Sequence, residues 1–381
     1  MNIYLDNAAT SSPKPQSVVD EVLRALTAYN ANPGRSGHAA ALEAARSVYS
    51  ARNALSHLMH APDDSCIAFC FNCTDALNLA IKGVLRRGDH VISTMLEHNS
   101  VLRPLTGLST RSQIALTLIS PGPDGMVDPR AIARAIRKNT RLIVVTHASN
   151  VTGAIQPVAA IGEVARQHGI LYLIDGAQAI GMLPVDVEKL KCDLYAFPGH
   201  KSLLGPQGTG GLYIRAGLQL NTLREGGTGT ESNSMLQPDE APERYEAGTV
   251  NMPGLSGLRR GAEYVDQCQS QIMMHERELA TALFEGLSAM DNVLIYSPHE
   301  EAARAGIVCF NLGDLSSSEV ADALSRRNIA VRGGLHCAPG AHRHLGTLQR
   351  GAVRASVGWA NSFDEVDVFL GAIHDILKKG E

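Results

Sequence analysis

The sequence predicts an α/β protein: a mostly parallel sheet, with a smaller α+β part following it. Three observations carry that expectation. Short apolar runs recur through the first half of the 381-residue chain, helical segments fall between several of them, and the texture changes after Ile214. Strands alternating with helices imply parallel pairing, with helices covering both faces of the sheet. Ligands of such sheets sit beyond the carboxyl ends of the strands. Polar residues at those ends therefore matter most.

Apolar positions at helical spacing predict a first helix over Val18–Tyr29, after Pro15. A polar turn follows, and the alanine-rich segment Ala39–Met59 reads as a long helix. The predicted strands are Cys66–Phe71, His90–Thr94, Leu116–Ile119, Leu142–Thr146, Ile170–Asp175 and Leu194–Phe197, with another at Leu212–Ile214. Helices are expected at Thr74–Val84, Pro129–Ile136 and Val158–His168. Residues Arg224 to Pro253, rich in Gly, Thr, Ser, Asn and Pro, read as a long functional loop. A long helix from Leu255 to about Met290 then leads to strands near Ala305–Leu312 and Ile329–Arg332. Helices over Ser317–Arg327 and Phe363–Lys379 complete the chain. The expected division is a large domain over 16–254 and a small one over 255–381, joined by the N-terminal segment 1–15.

Hydrophobic content of 44% and charged content of 19% are those of a globular chain with a sizeable core. A net charge of -4 without a basic run argues against nucleic acid as a partner. No apolar stretch reaches the roughly 18 residues that span a bilayer, so no membrane is expected. The first residues lack the features of a signal peptide, and the expectation is a cytoplasmic chain. Seven cysteines, an odd count without a tight framework, read as reduced thiols. Cys66, Cys70 and Cys73 lie in or beside an apolar strand and read as core rather than metal ligands.

Chemistry concentrates between Asp193 and Tyr213. A short strand delivers Pro198-Gly199-His200-Lys201 into a turn, and a glycine-rich run follows. A lysine held there is partly desolvated, which lowers its pKa and frees the amine for Schiff-base chemistry. The plainer alternative is a surface lysine in a hairpin. Asp175 ends another strand and precedes Gly176-Ala177-Gln178. A carboxylate at that depth needs a cation or several hydrogen bonds. A structural ion pair or a helix cap would serve. So would a protonated pyridine nitrogen, since an Asp with a Schiff-base Lys is the pair expected for pyridoxal 5'-phosphate.

The other strand ends are weaker signals taken singly. Thr74 starts a helix, where free amides and the dipole suit a phosphate, although threonine is also an ordinary cap there. His98, after the next strand, is placed to lie on a planar ring or move protons, or simply occupies a loop. Asn150 alone suggests only a turn. Far downstream, Cys337 lies in Arg332-Gly333-Gly334-Leu335-His336-Cys337. Arg332 and His336 are expected to lower its thiol pKa, and the glycines to let the loop move. A zinc site with His342 and His344 is disfavoured, because the spacing matches no common pattern; no metal is expected. Arg354 suits a bidentate grip on a carboxylate, or a surface ion pair.

Together these residues resemble the pyridoxal-phosphate-dependent class V aminotransferase-fold family, and within it the cysteine desulfurases and selenocysteine lyases. The resemblance runs from Tyr4-Leu5-Asp6-Asn7-Ala8-Ala9-Thr10 to Arg354-Ala355-Ser356. It rests most on Asp175-Gly176-Ala177-Gln178, Gly199-His200-Lys201 and Arg332 through Cys337. It implies the fold type I architecture, like aspartate aminotransferase, and a homodimer. By this resemblance Lys201 is the Schiff-base lysine, Asp175 pairs with the pyridine nitrogen and Gln178 hydrogen-bonds the ring oxygen. His98 stacks on the ring and assists proton transfer. Thr74 and His200 hold the phosphate, and Thr249 reaches in from a second subunit. Asn150 and Arg354 bind the substrate carboxylate, with Arg332 counted among the substrate-binding residues. Arg35 lies near the neighbouring subunit's site, and Cys337 takes the sulfur.

The chain departs from its relatives at three places. Pro198 stands where a phosphate-contacting serine is usual, Gly34 where a histidine is common, and Leu335 where a polar residue is frequent. The activity implied is removal of sulfur from L-cysteine, or selenium from L-selenocysteine, to give alanine and a persulfide on Cys337, with a protein as sulfur acceptor. The alternative is an aminotransferase or β-lyase of the same fold in which Cys337 is idle. A non-catalytic sulfur carrier or metal-binding protein is the remaining reading.

Overall fold

The computed structural model describes residues 2–33 and 37–379. A two-residue strand, β1 (Ile3–Tyr4), precedes the helices α1 (Gln16–Thr27) and α2 (Ala39–Leu58). The alternation expected from the apolar runs then begins. It comprises β2 (Ile67–Cys70), α3 (Cys73–Val84), β3 (His90–Thr94), α4 (Asn99–Thr110), β4 (Ala115–Ile119) and α5 (Pro129–Arg134). It continues through β5 (Thr140–Thr146), α6 (Val158–Gln167), β6 (Leu171–Asp175), β7 (Leu194–Pro198) and β8 (Gly210–Ile214).

These strands form one seven-stranded sheet in the order β2-β8-β7-β6-β5-β3-β4. The pairs β3–β4, β3–β5, β5–β6 and β6–β7 are parallel, whereas β8 runs antiparallel to both β7 and β2. Every residue of β2, β3, β6 except Leu171, β7 and β8 is buried. That is why these runs read as continuously apolar rather than alternating. The parallel register sets Asp175 beside Ala196 on β7. The chain that turns back from β7 to β8 therefore starts next to the Asp175 carboxylate.

Beyond the long loop, α7 (Met252–Ser288) runs 37 residues and bends at Cys268, whose φ of -135° and ψ of 20° leave the helical region. Its first part packs on α1 and α2. A Cβ on Gly261 would meet the Leu203 carbonyl oxygen at 2.1 Å, so only glycine lets this helix lie against the loop after Lys201. Its last part reaches a second sheet, built from β9 (Val293–Ile295), β10 (Ile307–Leu312), β12 (Arg332–Gly334) and β13 (Ala352–Ser356), in the order β12-β13-β10-β9. Between β10 and β12 lie α8 (Ser317–Ser325) and the short strand β11 (Ile329–Ala330). α9 (Pro339–His344) follows β12, and α10 (Phe363–Lys379) closes the chain. β1 pairs parallel with β11, which draws Ile3 and Leu5 into one apolar cluster with Leu279, Phe310 and Phe369.

Five elements were not anticipated: β1, α4, β9, α9 and β13. α4 carries Pro104 in its interior, which masks the helical pattern. β13 is short and buried throughout, and it contains a charged residue, Arg354, so no alternation marks it. The segment predicted as one strand over Ile329–Arg332 is two strands in two sheets. The long helix starts three residues earlier than expected, capped by Asn251. Among the described residues no helix is long and apolar enough to cross a membrane.

Candidate active site

The carboxyl ends of the parallel strands converge on one cavity, enclosing about 590 Å³ with its mouth included. The turn from β2 into α3 supplies Cys73 and Thr74, and the turn from β3 into α4 supplies His98 and Ser100. Thr146 and Asn150 come from β5 and the turn beyond it. Asp175 and Gln178 follow from β6, and Pro198, His200 and Lys201 from β7. Most of the residues singled out from the strand ends thus meet in one place.

Asp175 is 3% exposed. Its Oδ1 accepts from the Ala177 amide at 3.0 Å and from the Cys73 thiol at 3.5 Å. Burial, reinforced by the Asp175 charge, pushes the Cys73 thiol well above its ordinary pKa, so Cys73 is a donor here. Gly176 must be glycine, because an added Cβ would lie 2.0 Å from the Tyr195 ring. Among the described residues Lys201 Nζ makes no hydrogen bond or ion pair. Burial first, and then the Arg354 charge, lower its amine to about 8, while Asp175 and Cys73 pull the other way. An unpartnered amine and a buried carboxylate face the same space.

Ser100 links two of the other residues. Its hydroxyl lies 2.7 Å from Thr74 Oγ1 and 2.9 Å from His98 Nδ1, and its amide donates to that same nitrogen at 3.0 Å. Nδ1 therefore accepts, and the ring proton belongs on Nε2. Burial lowers the His98 pKa, opposed by Asp175 and assisted by Lys201. His200 Nδ1 lies 3.1 Å from Thr10 Oγ1, and burial lowers its pKa to about 4. Its imidazole is neutral at physiological pH. Gln178 Nε2 donates to the Ala8 carbonyl at 3.0 Å.

Arg354 is 2% exposed and already engaged. Its Nη2 pairs with Asp6 Oδ1 at 2.8 Å, its Nη1 donates to the Asn150 carbonyl at 2.9 Å, and only Nε lacks a partner. Asn150 Nδ2 in turn donates to the His336 carbonyl at 2.6 Å. Cys337 is exposed, and its carbonyl accepts from the Asn99 amide at 2.7 Å. His336 and Cys337 both hold left-handed backbone, at φ of 48° and 56°.

The expectation that His336 would activate Cys337 is corrected. Burial, followed by the Arg354 charge, lowers the His336 imidazole to about 3, so it carries no charge. Its ring faces His342 Nε2 at 3.2 Å and the Arg332 carbonyl at 3.2 Å. Arg332 does not line the cavity, but its charge acts on both His98 and Lys201. Thr249 does not line this cavity but a different one, with Phe69, Arg224 and Glu246. Arg35 and Gly34 lie outside the described residues.

The family model for class V aminotransferases matches residues 3–369. The chain belongs to the class V aminotransferase family. A probable cysteine desulfurase of Methanothermobacter thermautotrophicus is 35% identical over 390 aligned positions, covering 100% of this chain and 96% of that one. One from Pyrococcus abyssi is 34% identical, covering 99% and 94%. Among solved structures, a cysteine desulfurase of Thermococcus onnurineus superimposes with a TM-score of 0.94 at 34% identity, covering 99% of this chain and 95% of that one.

Several residues of this class V aminotransferase site carried no signal of their own in the sequence. Asp6, Cys73, Thr10 and Ser100 act through partners distant in the chain or in the next turn. Glu97 is fully buried: its Oε1 accepts from Thr94 Oγ1 at 2.7 Å and from the Thr146 amide at 3.1 Å. It fixes the end of β5 beside Asp175. A glutamate next to a singled-out histidine was the only available clue.

Proposed function

We propose that the chain is a cysteine desulfurase using pyridoxal 5'-phosphate, which removes sulfur from L-cysteine, or selenium from L-selenocysteine, and leaves alanine. The observation that carries this reading is the Lys201–Asp175 pair in one cavity, with an exposed thiol on a loop fastened to the same cavity through Asn99 and Asn150. Its relatives' names point the same way.

The cavity fits the cofactor that the family implies. An amine without a partner suits a carbonyl carbon, and a buried carboxylate that makes no ion pair among the described residues suits a protonated ring nitrogen. The first-turn amides of α3 and the Thr74 hydroxyl suit a phosphate. Gln178 and His98 would hold the ring, and His200 would donate a neutral hydrogen bond rather than a charge. Pro198 has no hydroxyl or amide hydrogen to offer the phosphate. The cofactor, when bound, withdraws electrons from an attached amino acid and so acidifies its Cα proton.

Lys201 Nζ, with its lowered pKa, is suited to accept and return a proton at the substrate Cα. Neutral His98, lining the same cavity, offers an Nε2 proton. Asn150 and Arg354 orient the substrate carboxylate, and Arg354 must exchange one of its present partners to do so. Cys337 Sγ, as thiolate, attacks the substrate sulfur. A sulfur–sulfur bond forms and the carbon–sulfur bond breaks, with its electron pair left on carbon until a proton returns. Cysteine plus the Cys337 thiol gives alanine plus a Cys337 persulfide.

The persulfide sulfur then passes to an acceptor, which in this reading is a protein reaching the exposed loop. A homodimer is part of the proposal, with Thr249 serving the other subunit. In this reading the large and small domains meet within α7 rather than at residue 254, since Leu255, Leu258 and Ala262 pack in the core of the first sheet and Leu279 and Leu283 in that of the second. The N-terminal strand joins the small domain through β1 and β11. Free thiols throughout suit the reducing cytoplasm. The test is mass spectrometry of the Cys337 peptide after incubation with cysteine. An added sulfur is expected; an unmodified thiol alongside alanine production would assign a lyase that bypasses Cys337.

A further inference from the structure

A second chamber lies behind the active site, between the N-terminal segment, the far part of α7 and the second sheet. Its walls include Asn7, Ser11, Gln178, Ser202, Glu276 and Ser356, and it encloses about 400 Å³ with its mouth included. The interior has room for a water-sized sphere but not for a metabolite. Gln178 is shared with the active-site cavity, and Ser202 follows Lys201 directly.

Glu276, on α7, is 6% exposed and its carboxyl group faces this chamber. Its Oε2 lies so near Gly306 that an added Cβ there would be 3.3 Å away. Among the described residues it has no hydrogen bond and no ion pair. A buried carboxylate left alone is costly and needs a proton or a positive charge. No charged side chain among the described residues pairs with it, and the Lys14 ammonium, although it bonds Ser11 on the chamber wall, makes no ion pair with Glu276. His275 holds the Asn361 carbonyl, Arg277 reaches Glu301, Lys14 holds Ser11 and the His200 carbonyl, and Arg304 bonds the Pro298 carbonyl. No other ionisable side chain lines the chamber.

We propose that this chamber binds a single monovalent metal cation, potassium or sodium, with Glu276 as its one charged ligand. Neutral oxygens on the walls complete the shell. Ser202 supplies a hydroxyl, and Gln178 Oε1 has no protein partner among the described residues while its Nε2 is held by Ala8. One carboxylate balances one positive charge. A divalent ion would leave net charge buried, and it seeks more anionic oxygens than the chamber holds. Burial raises the Glu276 carboxyl to about 8, so proton and cation compete for the same oxygens. The ion therefore gains ground as pH rises. The inference does not depend on the reaction proposed above.

The experiment is thermal unfolding of the full-length chain in potassium, sodium or choline chloride at equal ionic strength, above pH 8 and near neutrality. Potassium or sodium is expected to raise Tm by roughly 2 °C over choline, more above pH 8, and the two arms identify the ion. The difference should vanish in Glu276→Gln. Identical Tm values in all three salts overturn the proposal, as does a shift that persists in Glu276→Gln. Should that variant fail to fold, rubidium-soaked crystals of the unaltered chain decide. Anomalous scattering beside Glu276 supports the site, and its absence there overturns it.

Discussion

The amide of Asn99 donates to the carbonyl oxygen of Cys337 at 2.7 Å. Residues 238 positions apart in the chain are thereby fastened, and the thiol-bearing loop is fixed at the start of α4, next to His98. The neighbouring His336 carbonyl is held by Asn150 Nδ2 at 2.6 Å. Both ties use backbone oxygens and leave the Cys337 thiol free. Left-handed backbone at two successive non-glycine residues costs about 1–3 kcal/mol each, which these bonds help to offset.

Asn150→Ala removes one tie and a proposed carboxylate contact. Its kcat/KM on cysteine should fall about tenfold, or ~1.4 kcal/mol, with faster amide exchange confined to the loop around Cys337. Hydrogen-exchange mass spectrometry reads the loop, and steady-state kinetics reads the rest.

Cys337→Ala should abolish sulfur release from cysteine while leaving cofactor binding intact, because the thiol lies outside the cavity that Lys201 lines. Alanine assays and the absorbance of the bound cofactor check the two halves. Undiminished sulfur release would remove this thiol from the reaction.

Arg354 is buried and takes its negative partner from Asp6, whose side chain is 22% exposed. Asp6→Ala strands that charge and should cost about 3 kcal/mol, measured by urea unfolding. A loss of only a few tenths would mean that the Asn150 carbonyl alone satisfies Arg354.

Glu97 is expected to make stability pH-dependent. Burial, with a smaller contribution from the Asp175 charge, raises its carboxyl from 4.5 to about 8. The folded chain keeps a proton that the unfolded chain releases between those values. Its contribution is therefore full below 4.5 and is lost as pH rises through 8. Glu97→Gln should gain on the parent chain as pH rises across that window, in chemical unfolding at several pH values.

Lys201 gives the remaining prediction, made on chain freed of the proposed cofactor. The amine reacts only when neutral, and burial lowers it from 10.5 to about 8. Capture of added pyridoxal phosphate should accelerate about tenfold per pH unit below 8 and level off above it. Stopped-flow absorbance follows it. A plateau reached only above 10 would place the amine in ordinary solvent.

Asp175 and Lys201 were legible because each follows a run of buried apolar residues, and a polar group at such a point stands out. Fully buried parallel strands write themselves as continuous apolar runs, so most of the first sheet could be traced. Arg354 was read as a carboxylate binder, but its hold by Asp6, 348 positions away, leaves no local trace. α4 hid behind Pro104. The Cys73–Asp175 contact exists only once β2 and β6 lie in one sheet. Glu276 looked like any charged residue on a long helix, since burial is a property of what packs over it.

The pairing of Ile3 with Ile329 bears on how a ribosome makes this chain. β1 has no pairing strand until 326 further residues have been synthesised, about 15–65 s at typical elongation rates of roughly 5–20 residues per second. Ile3 and Leu5 spend that interval uncovered. Ala8 can be held by Gln178, and Ser11 by Lys201, well before β11 emerges, so the wall behind Gln178 gains its first ties before β1 gains its neighbour.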